Sequence, residues 1–138
     1  MIRSLVFGLL AFTLLSANTP AAPKLPSKKE FTCLVKNVYH EARGESPQGK
    51  QAVAKVTLNR LKHREYPKSI CGVVYQKRQF SWTITPSNAK INREEWQDSI
   101  NAATKAYNST KAFPATHYHN FTVSPKWGLK KIAVMDWG

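Results

Sequence analysis

Apolar side chains at Phe31, Leu34, Val35, Val38, Tyr39 and Ala42 fall at i, i+3, i+4, i+7, i+8 and i+11. This is the spacing of one helical face and predicts a helix over 31–42. At about 100° per residue, Glu41 lies roughly a quarter turn from the centre of that stripe, at the seam between core and solvent and one turn above Asn37. His40 points almost directly away from the core, and Cys33 lies on its side of the helix. Gly44 breaks the helix, and a second carboxylate, Glu45, follows in the break. Ser46 as N-cap and Pro47 at the first helical position then start a second helix through Leu61 that ends before Tyr66-Pro67. Its small and branched face suits close packing against another helix.

Further along, Pro67 to Gly72 reads as a loop, and Val73 to Gln76 as a short strand or a helical turn. Gln79 to Thr83 is irregular and aromatic. A third helix is predicted over 92–107, with Asn92 as cap, Glu95 three positions later, and Trp96, Ile100, Ala103 and Tyr107 as its core stripe. Thr116 to Val123 alternates as a strand does, with His117, His119 and Phe121 on one side and Tyr118 and Asn120 on the other. The expected class is α+β, mainly α, a small single domain with a short β element.

Ahead of these elements, residues 1–17 read as a secretory signal: Arg3, an apolar run from Leu5 to Leu15, then Ser16-Ala17. The run is short of the ~20 residues of an ordinary membrane span; an uncleaved N-terminal anchor is the alternative. Residues 18–29, with three prolines and three lysines, read as an extended tether. The folded domain is therefore expected over 30–138, in the periplasm or outside the cell.

Export changes how the charge is read. Without Arg3, 20 basic and 8 acidic residues leave a net charge of +12. Such a surface suits an anionic partner: nucleic acid, an anionic membrane face, or a bacterial wall polymer. Export and the lack of a nucleic-acid motif argue against the first. Cys33 and Cys71 in an exported chain are most simply a disulfide. Closing their 38-residue separation contributes about 4 kcal/mol in the chain-entropy model.

Glu41 is the leading chemical candidate. A carboxyl at a core edge is pushed toward its protonated form, which can act as a general acid toward a glycosidic oxygen. Glu45 is a candidate second carboxylate, or it favours the positive end of the second helix. A metal site is the rival, because His40-Glu41 opens like the zinc-protease pattern and His117 and His119 share a strand face. That pattern needs His at position 44, where this chain has Gly. No nucleophile elbow, Walker loop or dinucleotide-binding glycine turn occurs.

Several blocks in order resemble the bacterial cell-wall hydrolase family typified by the spore-cortex-lytic enzymes. They are Cys33-Leu34, Val38 to Glu45, Gly49 to Ala54, Leu58-Asn59-Arg60, Pro67, Ile70 to Gln76, Gln79 to Trp82 and Ala115 to His119. The resemblance covers about 33–127 and implies a small, mainly helical domain related to the lysozyme-like and resuscitation-factor enzymes. It implies cleavage of the N-acetylmuramic acid–N-acetylglucosamine bond of peptidoglycan by a lytic transglycosylase that needs no metal or other cofactor. Glu41 matches the family's acid/base.

On this reading Gln79, Ser81 and Trp82 line the glycan groove, and His117 and Tyr118 close its opposite wall. Phe80 and Trp82 could instead be core aromatics. The partner is the glycan strand, bound by a monomer, with the positive charge drawing the enzyme to the wall. Relatives usually continue past the last Gly with a His and an aromatic residue, whereas this sequence ends at Trp137-Gly138. The alternatives are a metal-dependent amidase of the same polymer using His117 and His119, and a non-catalytic basic wall-binding module.

Overall fold

The structure, a computed structural model, describes residues 26–85, 87–119, 124–126 and 128–131. The expected signal, most of the tether and the chain end fall outside the described residues. Among the described residues there are four α-helices and one 3-10 turn: α1 Lys28–Ala42, α2 Pro47–Arg60, α3 Ile70–Val74, the 3-10 turn Ser81–Thr83, and α4 Arg93–Asn108. None of the described helices is long and apolar enough to cross a membrane.

Each helix start is fixed locally by a side chain that takes an otherwise unsatisfied backbone N–H. Ser27, Ser46, Ser69 and Asn92 accept from the backbone N–H groups of Glu30, Gly49, Gly72 and Glu95, at 3.2, 3.2, 3.0 and 3.0 Å. Because Ser27 caps it, α1 begins at Lys28, one turn ahead of the expected Phe31. Between α1 and α2 the chain turns through Gly44 at φ 83°, a left-handed conformation that a side chain disfavours.

The core forms where α1, α2 and α4 pack together and α3 closes against α1. Leu34, Val35 and Val38 of α1 meet Ala54 of α2, Ile70 and Val74 of α3, and Ala102, Ala103 and Ala106 of α4. The alanines let the backbones approach, while Leu34 is fully buried. Truncating such a leucine to alanine typically costs 2–5 kcal/mol. Asn37 is also buried and donates to Thr57 Oγ1 at 3.0 Å, which fixes the register of α1 against α2. Trp96 packs on the cluster, as its place on the third stripe predicts.

A disulfide joins Cys33 of α1 to Cys71 of α3 with their Cα atoms 5.2 Å apart. Beside it, Glu30 reaches across to accept from the backbone N–H groups of Ile70 and Cys71. The expected loop 67–72 therefore gives way at Ile70 to a helical turn that α1 itself caps. This settles the Val73–Gln76 alternative in favour of helix.

The short β element is not present among the described residues. Thr116 to His119 is irregular, and the remainder of the expected strand, 120–123, lies outside them. The physical reason is that side chains of α2, not a neighbouring strand, take the carbonyls leading into it. Asn59 Nδ2 donates to the carbonyls of Phe113 and Ala115, the latter at 2.9 Å, and Arg60 Nε donates to the carbonyl of Thr116 at 2.9 Å. The domain is therefore helical where it is described, with 113–119 strapped onto the end of α2.

Candidate active site

That strap brings the site together. Glu41, in the last turn of α1, is half-buried, and Tyr118 Oη donates to its Oε2 at 3.0 Å. Burial raises the Glu41 pKa above its ordinary 4.5, while the Tyr118 bond and the charge of Arg60 pull the other way. The net direction is up, so Glu41 holds its proton to higher pH than a solvated glutamate. Burial, the Glu41 charge and the bond to it push the Tyr118 hydroxyl far above its usual range. Tyr118 therefore remains an O–H donor at any ordinary pH.

Arg60 closes the α2 side. It is 3 % exposed, its guanidinium lies 5.3 Å from the Tyr66 ring centre and 5.8 Å from that of Phe80, and its Nη1 has no hydrogen-bond partner among the described residues. His117 stands beside it, with Nδ1 2.9 Å from Thr116 Oγ1. Burial and the Arg60 charge lower the His117 pKa, which favours the neutral ring.

The aromatic segment reaches the site through His40. The His40 ring stacks on Trp82 with centroids 4.4 Å apart and planes 18° from parallel. Burial, then Arg43 and Lys36, lower the His40 pKa. Phe80 is buried against Arg60, so it is a core aromatic, whereas Trp82 is half-buried with one face covered by His40. Gln79 is half-buried and Ser81 is exposed. The segment 79–82 thus runs beside both Arg60 and His40, the neighbours of Glu41 in space and in sequence.

Glu45 points to a different place. It lines a hollow of about 450 Å³ between α2 and α4 with Pro47, Lys50, Glu95 and Asp98. There the buried Lys50 ammonium pairs with Glu95 at 2.9 Å and Asp98 at 3.5 Å, and Glu95 also accepts from the Gly44 N–H at 3.3 Å. Among the described residues the groups that act on the Glu41 charge are Tyr118 and Arg60, not Glu45. No group of three or more His, Cys, Asp or Glu is arranged to hold a metal ion among the described residues, and His119 is exposed.

Sequence reasoning assigned no role to Asn59 and Arg60, although both lay in a block carrying the family resemblance. A basic residue in a last helical turn ordinarily serves the helix dipole. The one available signal was that Arg60 follows Leu58-Asn59 on a helix whose inward face is otherwise small.

Comparison with known proteins adds an independent line. The family model described as Cell Wall Hydrolase matches residues 44–137, beginning just past Glu41. The spore cortex-lytic enzyme of Oceanobacillus iheyensis is 37% identical over 68 residues, covering 48% of this chain and 25% of that protein. The spore cortex-lytic enzyme of Bacillus subtilis is 37% identical over 75 residues, covering 46% and 25%. That of Bacillus cereus is 36% identical over 55 residues, covering 40% and 21%. The chain spans about a quarter of the length of the curated relatives it matches. No solved structure matches it. Since the matched stretch 44–137 is more than half of the 138 residues, the chain belongs to the cell wall hydrolase family.

Proposed function

We propose that this protein is exported and cleaves the glycan strands of peptidoglycan at the N-acetylmuramic acid–N-acetylglucosamine bond, as a lytic transglycosylase with Glu41 as its acid/base. The observation that carries the reading is the half-buried Glu41 carboxyl, raised in pKa, with a tyrosine hydroxyl and an arginine as the groups acting on it. A retaining glycosidase that forms a glycosyl-enzyme needs a second carboxylate about 5 Å from the first. Glu45 stands instead with Lys50 and α4, which favours a route requiring one carboxylate.

In that route Glu41 gives its proton to the bridging oxygen as the anomeric C–O bond breaks. The carboxylate then accepts the proton of the muramic 6-hydroxyl as that oxygen bonds to the anomeric carbon. Glu41 ends protonated, and the product carries an anhydro-muramic end with no water consumed. Gln79, Ser81 and Trp82 contact the sugars on one side and His117 on the other. Tyr118 both closes the far wall and holds the acid.

Mass spectrometry of purified sacculi after digestion tests this. Wild type should leave anhydro-muramic ends, and Glu41→Gln should leave the sacculi intact. Hydrated reducing ends overturn the transglycosylase route; released stem peptides, or activity abolished by chelation, point to an amidase; undiminished activity of Glu41→Gln removes Glu41 from the chemistry.

A further inference from the structure

Arg60 raises a question that packing does not answer. Its guanidinium stays charged in proteins, yet it is 3 % exposed and no carboxylate lies within ion-pairing distance of it among the described residues. A buried charge without a counter-ion is costly. Here it is offset by the Tyr66 and Phe80 rings, by the bond from Nε to the Thr116 carbonyl and by a side-chain bond with Tyr66, while Nη1 goes unmatched. Among the described residues the carboxyl whose charge Arg60 feels is Glu41, which feels Arg60 in turn. The same arginine carries the strap that ends in Tyr118, the Glu41 partner.

We infer that Arg60 is a positioning residue for the acid: it holds Tyr118 over Glu41 through the Thr116 carbonyl, and it supplies the buried positive charge against which the Glu41 carboxylate forms. This rests on the reading of Glu41 as the acid and deepens it. Before the proton leaves, the described residues around Glu41 hold the Arg60 cation with no carboxylate paired to it. After the proton has passed to the glycosidic oxygen, they hold a cation and an anion. The transfer therefore removes an electrostatic cost in a poorly solvated place, where such terms are largest. Among the described residues the groups facing Glu41 are Tyr118 from the strap and Arg60 from α2. Those facing Arg60 are Tyr66, Phe80, His117, Tyr118 and Glu41.

The test is the pH–rate profile of sacculus cleavage by wild type, Arg60→Gln, Arg60→Met and Arg60→Lys, with folding checked by circular dichroism. The alkaline limb reports loss of the Glu41 proton. Removing the positive charge disfavours the carboxylate, so in the neutral variants the limb moves up by about one pH unit. Their maximal rate falls on the order of 100-fold. Arg60→Lys keeps the charge and therefore the wild-type limb. A folded neutral variant that is slow but keeps the wild-type limb overturns the inference, since a purely structural arginine would behave that way. Should neither neutral variant fold, a limb displaced by about one unit in Arg60→Lys overturns it and an unmoved limb supports it. Glu41→Gln run alongside separates the two readings: activity in that control defeats Glu41 as the acid, whatever the Arg60 variants do.

Discussion

Replacing both Cys33 and Cys71 by alanine removes the only covalent tie between α1 and α3 among the described residues and tests what holds the Glu41 helix in place. The bond closes a separation of 38 residues. In the chain-entropy model that constraint on the unfolded chain is worth about 4 kcal/mol. Domains of this kind are stable by only about 5–15 kcal/mol, so the loss is a large fraction of the whole. For roughly 110 residues the entropy of unfolding at the midpoint converts it to a fall of roughly 15–20 °C in Tm.

The native contacts at the junction survive the substitution. Glu30 still accepts from the Ile70 and Cys71 backbone N–H groups, and Ile70 and Val74 still pack on Leu34. Cys33 sits about two turns before Glu41 on α1. Activity on sacculi well below the new midpoint should therefore stay close to wild type. Urea melts of oxidised wild type, reduced wild type and the double variant give the comparison. A loss under about 1 kcal/mol would refute the entropic reasoning, and lost activity in a folded variant would refute the expectation that the native contacts hold Glu41 in place without the bond.

Two further substitutions probe the strap. Tyr118→Phe removes the donor that favours ionised Glu41, so the alkaline limb of the pH–rate profile should rise, and the rate should fall about tenfold for a bond to a charged oxygen worth roughly 1.5 kcal/mol; a fixed limb would show that the bond does not form in solution. Asn59→Ala deletes two side-chain bonds to the strap, costing about 2 kcal/mol at roughly 1 kcal/mol each, and should speed proteolytic nicking near Phe113; a nicking rate equal to wild type would contradict the strap.

The parts of the fold that follow local rules were legible in the sequence. The α1 stripe predicted the buried face and put Glu41 at its edge, where the structure has it half-buried. Ser46-Pro47 and Asn92 with Glu95 marked starts that the structure reproduces to within a residue. What escaped depends on partners far along the chain. The five-residue α3 is too short for a periodicity and takes much of its cap from Glu30. Alternation over Thr116–Val123 read as a strand because the pattern cannot reveal that Asn59 and Arg60 take the Ala115 and Thr116 carbonyls where it begins. The Glu41 environment was half visible: its seam position follows from 100° geometry, but Tyr118 and Arg60 meet it only once the strap is laid down. Glu45, close to Glu41 in sequence, lies past the left-handed turn at Gly44 and lines the hollow with Lys50 and α4.

A site-resolved NMR titration of the glutamate carboxyl groups in the folded protein tests the central claim most directly. Glu41 should titrate above the ordinary 4.5, because its burial outweighs Tyr118 and Arg60. Glu95, held as a carboxylate chiefly by its bond to Lys50, should titrate below 4.5 in the same spectra and serve as the internal control. A Glu41 midpoint at or beneath that of Glu95 would mean that the carboxyl gives up its proton too early to act as an acid, and would contradict the account.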